Sequence, residues 1–174
     1  TDNSAPNNQN TVFDTSITVK GGATVAISNS DGAGGSSDDY VWFAPEGTTS
    51  FVEGSTMTKV AGNSDNITAP ADAGTYKLYV IDTADNVSAA STAELEVDNT
   101  APDNQDTVFP LSISVKPGTT VTIGNSGDIN NNVWFAPKTG FTANFENFSY
   151  TNGNTITKAV NGTSTNITAP STAG

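Results

Sequence analysis

The chain has 174 residues, enough for one large or two small domains, and its abundant Thr, Ser, Asn and Gly are typical of β-structure with many turns. The net charge is −12, every basic residue is Lys, and the sequence has no Arg, His or Cys. These counts exclude a nucleic-acid-binding surface, which needs a basic patch, as well as disulfides and thiolate metal sites. No stretch approaches the run of about 20 apolar residues that a membrane-spanning helix needs.

Short segments with large apolar residues at every second position follow one another along the first half of the chain. Ile17 and Val19 form one pair, and Val25 and Ile27 form the next. Clusters of Gly, Pro, Asn and Asp separate the segments, and no window keeps a helical period. The pattern predicts an all-β domain with about seven strands in about 100 residues, the size of an immunoglobulin-like sandwich. Later segments with this pattern contain Trp42, Ile67, Tyr76, Leu78 and Val80.

The sequence repeats itself. Three motifs recur in the same order: residues 2–6 at 98–102, residues 41–45 at 133–137, and residues 66–70 at 166–170. Chance does not produce three ordered matches of this kind, so the chain is a tandem array of one structural unit. We predict one sandwich over residues 1–97 and a second over residues 98–174. The copies differ in the lengths of the segments between motifs, which we expect to be surface connections.

The second copy stops earlier in the repeat than the first does. Residues 71–74 of the first copy are followed by residues 75–97, which hold its last two strands, whereas the matching residues 171–174 are the last in the sequence. We expect the second sandwich to lack these two strands and to receive them from outside the 174 residues. The source is either the continuation of a longer tandem polypeptide or strand complementation by an identical neighbouring subunit.

Two local features refine the fold prediction. Asp72, Gly74 and Tyr76 form the D-x-G-x-Y pattern of a tyrosine corner, in which the phenol bonds back to the upstream backbone. Trp42 and Trp134 fall on the third strand of their copies, and we expect both to be buried.

The end of the first copy carries a family resemblance. Residues 74–88, which lead to residues 95–102, resemble the last two strands and the linker of bacterial immunoglobulin-like repeats. The resemblance implies long tandem arrays in secreted adhesins, S-layer-type proteins and surface fibres. It identifies a fold and an architecture, and it implies no particular ligand.

The residues favour a protein that is not an enzyme. Without His, Cys or Arg, the common acid-base and nucleophile arrangements are missing. Asp38 and Asp39 are the remaining candidate for a carboxylate pair, but adjacent acids in a Gly- and Ser-rich loop are more typical of a solvated turn.

Calcium is the one cofactor that the sequence suggests. Acidic and amide side chains cluster at the linker between the copies, and we expect the turn at residues 82–86 to lie at the same end of the first sandwich. Calcium binds such oxygen ligands and would stiffen the joint, although the same residue types are also favoured in ordinary turns. The candidate ligands are Asp82, Asp85, Asp98, Asn99, Asp103 and Asp106.

An insertion in the second copy is rich in aromatic residues. Exposed aromatic side chains on a loop would mark a surface that binds a glycan or a protein, whereas buried ones would cover an open end of the sandwich. The residues concerned are Phe141, Phe145, Phe148 and Tyr150.

Two functions follow from these observations. The first is a structural repeat of an extracellular or cell-surface filament, S-layer or adhesin stalk, which acts as spacer and assembly unit and contacts neighbouring repeats or identical subunits. The alternative is a glycan- or protein-binding module of a secreted adhesin. A binding module predicts a pocket with convergent polar groups near the divergent loops, and a stalk predicts none.

Overall fold

The structure, a computed structural model, describes residues 2–138 and 155–174. It divides the chain into two compact units, Thr1–Thr100 and Ala101–Gly174. The boundary expected from the sequence, between Val97 and Asp98, lies in the same linker.

Unit 1 begins with a single helical turn and continues as seven strands. The helical turn is α1 (Gln9–Val12), which buries Gln9 and Val12. The strands are β1 (Ile17–Val19), β2 (Thr24–Ala26), β3 (Tyr40–Ala44), β4 (Thr58–Ala61), β5 (Asn66–Thr68), β6 (Gly74–Ile81) and β7 (Leu95–Val97).

The strands of unit 1 form two sheets. One has five strands in the order β1-β7-β6-β3-β4, and the other pairs β2 with β5. All pairs are antiparallel except β1 with β7, which run parallel with Ile17 opposite Leu95. The turn between β1 and β2 has Gly22 at a φ of 77°, a left-handed conformation that glycine adopts without strain.

One apolar core holds the two sheets together. Val25 and Ile67 from the small sheet pack in the same buried cluster as Phe43, Leu78 and Leu95 from the large one. Successive side chains of a strand point to opposite faces of the sheet, so every second residue of β6 and β7 points into this core, as the sequence pattern predicts. The members of the cluster on and just before these two strands are Tyr76, Leu78, Val80, Ala93, Leu95 and Val97.

Trp42 is buried as expected, but it does not lie in this core. Val41 and Phe43 face the main core, and Trp42 between them points to the opposite face of the large sheet. There its ring meets Phe51 at 5.6 Å, and Phe51 meets Tyr79 at 5.2 Å, both edge to face. The tryptophan therefore anchors a separate aromatic cluster over the outer face.

The predicted tyrosine corner is present. The hydroxyl of Tyr76 donates a 2.8 Å hydrogen bond to the carbonyl of Asp72. Burial, with the nearby charge of Asp72 as a smaller cause, raises the pKa of the Tyr76 phenol. This bond fixes the start of β6 to the segment that precedes it.

Unit 2 repeats the first part of this plan. It has the helical turn α2 (Gln105–Val108) and, among its described residues, the strands β8 (Thr120–Thr122), β9 (Trp134–Phe135), β10 (Thr157–Lys158) and β11 (Asn166–Thr168). β8 pairs with β11 as β2 does with β5, and β9 pairs with β10 as β3 does with β4. The repeat in the sequence is therefore a repeat of structure.

The prediction of an all-β chain is confirmed, because the helices described are two single turns.

The prediction that Trp134 is buried is wrong: its side chain is half-buried. In the described part of unit 2, nothing corresponds to β6, which lies beside β3 and carries Tyr79 opposite Trp42 in unit 1. Among the described residues, no helix has the length and apolar character needed to cross a membrane.

Candidate strand-binding groove

An apolar groove of about 520 Å³ runs along α2 and β9 in unit 2. Aliphatic and aromatic side chains provide most of its lining, with a few polar groups at its rim. The apolar lining includes Val108, Phe109, Ile123, Val133 and Phe135.

The equivalent space in unit 1 is occupied by β6. This strand pairs with β3 along five residues and also contacts α1. Its Leu78 and Val80 are fully buried in the core cluster that includes Val12 and Phe43. The groove of unit 2 thus lies at the position that β6 occupies in unit 1.

Matching side chains on β3 and β9 differ in how much of their surface is exposed to solvent. Val41 and Phe43 are 0% exposed in unit 1, whereas the matching Val133 and Phe135 are half-buried. In the described part of the chain, β9 has β10 as its sole strand neighbour, while β3 has one on each side. A strand edge of this kind presents backbone groups that can pair with a further strand.

The segment that matches β1 is also more exposed than β1 itself. Ile17 and Val19 are partly buried and pack against the core beside β7. Their counterparts Ile113 and Val115 are 50% and 45% exposed, and Leu111 nearby is 70% exposed. This row of exposed aliphatic side chains lies where the repeat pattern places the partner of a seventh strand.

The framework of the groove forms without these two strands. The rings of Phe109 and Phe135 meet edge to face at 5.2 Å, and those of Phe13 and Phe43 do so at 5.1 Å. Unit 2 also keeps its own small core, in which Val121 of β8 and Ile167 of β11 are buried. Contacts within unit 2 therefore hold the lining of the groove in place.

Polar groups at the groove have counterparts that hold the last strands in unit 1. The Oδ1 of Asn10 accepts hydrogen bonds from the N–H of Thr92 at 2.7 Å and from its hydroxyl at 3.1 Å. The Oγ of Ser16 accepts one from the N–H of Glu94 at 2.9 Å. The repeat places Asp106 and Ser112 at these positions in unit 2, so both acceptors are retained.

The expected calcium site is not assembled within unit 1. The expectation that the turn at residues 82–86 shares an end with the linker is wrong, because Gly74 at the start of β6 lies opposite Val97. Asp98 thus lies at one end of β6 and Asp82 at the other, roughly 25 Å away at the rise of a strand. An antiparallel pair always separates its connecting turn from the end of its second strand in this way.

Asp82, a candidate calcium ligand, is engaged by its own turn. One carboxylate oxygen accepts from the N–H groups of Ala84 and Asn86, both at 2.8 Å, and the other accepts from the Asn86 side chain at 2.8 Å. The side-chain bond from Asn86, aided by the two backbone bonds, lowers the pKa of the Asp82 carboxyl. Asp85 occupies the same turn with a left-handed φ of 62°.

Asp98 and Asn99 close the other end of unit 1. The carboxylate of Asp98 accepts from the N–H of Thr100 at 2.7 Å, and this bond lowers its pKa. Asn99 accepts from the N–H of Gly21 and donates to the carbonyl of Ala71, both at 2.9 Å. Both residues thus tie the linker locally.

The last two candidate ligands, Asp103 and Asp106, are exposed residues of unit 2. Across residues 2–138 and 155–174, no group of three or more acidic side chains is placed to hold a metal ion. Calcium binding by the six residues stays a prediction from ligand type alone.

The aromatic candidates for ligand binding, Phe141, Phe145, Phe148 and Tyr150, lie outside the described residues.

Asp39, one of the two carboxylates considered for catalysis, has a structural role. It is buried, and its carboxylate accepts from the hydroxyl of Ser30 at 3.2 Å and from the N–H of Ser36 at 2.9 Å. Asp38 beside it is exposed. Asp39 therefore stabilises the loop before β3, as acidic residues of ordinary turns do.

The repeated motifs predict the two units, but the groove was not predicted from the sequence. The available signal was the repetition of the Thr-Val-Phe and Val-Trp-Phe motifs without a second Tyr-Lys-Leu-Tyr-Val strand. That comparison leaves unpartnered the surface that Phe109, Val133 and Phe135 form in the second copy.

Comparison with profiles of known protein families, with curated proteins and with solved structures finds no match for this chain. The resemblance to bacterial immunoglobulin-like repeats stays a prediction from the sequence.

Proposed function

We propose that the chain is a non-catalytic structural repeat module of an extracellular filament, S-layer or adhesin stalk. Each repeat is an immunoglobulin-like sandwich that serves as a spacer and as a unit of assembly. The proposal rests on two structurally matched units in one chain, because stacked copies of one unit are the usual basis of extended arrays.

The observation that carries the proposal is the polarity of unit 1. Near its start, the carbonyl of Asp2 accepts a 3.2 Å hydrogen bond from the side chain of Asn86, in the turn that follows β6. Its last residues, Asp98 and Asn99, lie beside the opposite end of β6. The polypeptide therefore enters unit 1 at one end and leaves at the other, which is the path that a linear array of repeats requires.

The surface of unit 1 is consistent with a spacer. A shallow depression of about 180 Å³ on β1, β6 and β7 contains Glu94 and Glu96. Glu94 pairs with Lys77 at 3.0 Å, and Glu96 accepts a weak 3.4 Å hydrogen bond from Thr18. Both carboxylates therefore contact side chains of neighbouring strands in the same sheet.

Immunogold electron microscopy of the cells that produce the protein tests this function. Antibodies against unit 1 are expected to label surface fibres or a surface layer at regular intervals. Label confined to the cytoplasm, or to dispersed particles in the medium, would contradict the proposal.

A further inference from the structure

We propose that Asn161 is a site of spontaneous covalent modification, at which the side-chain amide becomes a carboxylate through a cyclic imide with the backbone nitrogen of Gly162. Asn161 lies in the turn between β10 and β11. The sequence has two Asn-Gly pairs, at residues 152–153 and 161–162, and the structure describes the second. This inference is independent of the proposed function.

Asn161 is an addition to the turn that the two units share. Residues 157–160 match residues 58–61, and Gly162 matches Gly62. Between them, Asn161 has no counterpart in unit 1. The Asn-Gly pair is therefore a feature of the second copy alone.

Packing requires the glycine of this pair. A Cβ at Gly162 would collide with the backbone carbonyl of Asp128, and a Cβ at Gly62 would collide with that of Ser36. The fold thus keeps glycine at this position in both units. The added Asn161 places an amide side chain directly before it.

Three donors polarise the side-chain carbonyl of Asn161. Its Oδ1 accepts hydrogen bonds from the N–H of Thr163 at 3.1 Å, from the hydroxyl of Thr163 at 2.9 Å and from the hydroxyl of Ser164 at 3.3 Å. Donors on a carbonyl oxygen stabilise the oxyanion that forms when a nucleophile adds to the carbon. The turn therefore activates Cγ of Asn161 toward attack.

The backbone nitrogen of Gly162 is the nucleophile. Its attack on Cγ of Asn161 closes a succinimide ring within one chain segment, and glycine has no Cβ to crowd the reacting atoms. The N–H of Gly162 donates a long 3.4 Å bond to the carbonyl of Ile129, whereas the N–H of Gly62 donates a 2.7 Å bond to the carbonyl of Asp39. The proton that Gly162 must lose is thus held less firmly than its counterpart in unit 1.

The reaction balances with water and hydroxide as the other reactants. The nitrogen of Gly162 gives its proton to hydroxide and forms a bond to Cγ of Asn161. The bond from Cγ to Nδ2 breaks, and this nitrogen takes a proton from water and leaves as ammonia. Water then opens the imide at Cγ, which gives aspartate, or at the backbone carbonyl, which gives isoaspartate with an additional carbon in the main chain.

The turn can retain the aspartate product. A carboxylate at this position accepts the same bonds from Thr163 and Ser164, and an ionised acceptor strengthens them. Isoaspartate lengthens the main chain, so the 3.1 Å bond from the N–H of Ser164 to the backbone carbonyl of Asn161 should be lost. The modification adds a negative charge to unit 2 that unit 1, with Ala61 before its glycine, does not acquire.

Peptide mapping by mass spectrometry of the whole 174-residue chain, incubated at neutral and at mildly alkaline pH, tests the proposal. Asn161 is expected to convert at least as fast as it does in a synthetic peptide of residues 155–168. The rate should rise about tenfold for each pH unit, because the backbone nitrogen must first lose a proton. Slower conversion in the chain than in the peptide would overturn the proposal. An N-linked glycan on Asn161 of the native material, for which Asn-Gly-Thr is an acceptor sequence, would overturn it too.

A matched pair of variants tests the activation. Thr163→Val removes the hydroxyl donor at an exposed residue and keeps the N–H donor, so the chain should still fold. Conversion of Asn161 should slow by about two- to tenfold, the factor that corresponds to one hydrogen bond. Thr165→Val, at an exposed residue outside the three donor groups, is the control and should react as the wild type does. Equal rates in the two variants would contradict the role of the donors.

Two substitutions of Asn161 itself identify the reaction and its products. Asn161→Gln lengthens the side chain, so ring closure should be much slower. Enzymatic methylation of isoaspartate should label the peptide that contains residue 161 in the aged wild-type chain and not in aged Asn161→Gln. Equal label on that peptide in both chains would overturn the proposal. Asn161→Asp represents the aspartate product, and exchange of its Thr163 amide should be as slow as in the wild type or slower; faster exchange would show that the turn does not retain this product.

Discussion

The ring of Phe135 lies edge to face with the ring of Phe109 at 5.2 Å, in the same arrangement that Phe43 and Phe13 adopt in unit 1. The two pairs differ in what covers them. Phe43 is 0% exposed beneath β6, and Phe135 is half-buried at the groove. Because the same aromatic pair is covered in unit 1 and partly open in unit 2, the contribution of the covering strand can be measured directly.

We predict that Phe43→Ala destabilises unit 1 by about 3–5 kcal/mol, as expected for a fully buried aromatic ring. Phe135→Ala should destabilise unit 2 by less, because part of its ring surface is already in contact with water. Urea unfolding followed by hydrogen exchange in each unit measures both effects. A cost for Phe135→Ala equal to that for Phe43→Ala would mean that the groove is not open.

Tyr76 should make the folding stability of unit 1 fall at alkaline pH. Because folding raises the pKa of its phenol, the stability that this group contributes is present below its unfolded pKa of about 10 and is lost as pH rises through the folded value. Tyr76→Phe should lose about 1 kcal/mol at neutral pH, with the 2.8 Å bond to Asp72, and should lose less stability than the wild type above pH 10.

Thermal melting across this alkaline range measures the effect. Tyr40→Phe, at a tyrosine that is 44% exposed, is the matched control and should follow the wild type. A Tyr76→Phe variant with an unchanged alkaline loss would show that the tyrosine corner does not set this limit.

Asp82 should act in the opposite direction at acidic pH. Its pKa is lowered in the folded state, chiefly by the side chain of Asn86, so its contribution is present above the unfolded pKa of about 4 and is lost as pH falls through the folded value. Asp82→Ala should lower the Tm of unit 1 at neutral pH and lose less on acidification.

Glu53→Gln, at an exposed residue, provides the control for acidification. The turn itself is followed by exchange of the Ala84 and Asn86 amides, which should become faster in Asp82→Ala. Unchanged exchange there would contradict the assigned hydrogen bonds.

The inward-facing residues of a strand could be predicted from the sequence where apolar and other residues alternate clearly. Tyr76, Leu78 and Val80 are separated by residues that turn to the other face, and all three lie in the core as the pattern predicts. The tyrosine corner was also predictable, because its residue spacing places the phenol within reach of a fixed backbone carbonyl.

The face of Trp42 was not predictable from the same pattern. Val41, Trp42 and Phe43 are three consecutive large apolar residues, and period 2 alone does not say which of them point inward. The answer depends on Phe51 and Tyr79, which come from other parts of the chain and form the outer cluster with Trp42.

The expectation that the turn at residues 82–86 shares an end with the linker was wrong for a topological reason. Acidic residues at the linker and in the turn after β6 share a composition, but antiparallel pairing of β6 with β7 places them at opposite ends of unit 1. The groove was not predicted because it becomes visible only when the two units are compared in three dimensions. In unit 1, β6 covers the surface beside β3, whereas the matching surface beside β9 in unit 2 is open.

The central claim is that unit 2 repeats the structural plan of unit 1, so that the groove beside β9 matches the place of β6. Fusing a second copy of residues 75–97 directly after Gly174 tests this claim, because Gly174 matches Gly74 in the repeat. A fusion of the same residues in scrambled order is the control. Hydrogen exchange at β8 to β11 should slow strongly in the native-order fusion alone, with an unfolding free energy in the range of a typical domain, about 5–15 kcal/mol. Equal protection of these strands in the 174-residue chain, the scrambled fusion and the native-order fusion would contradict the claim.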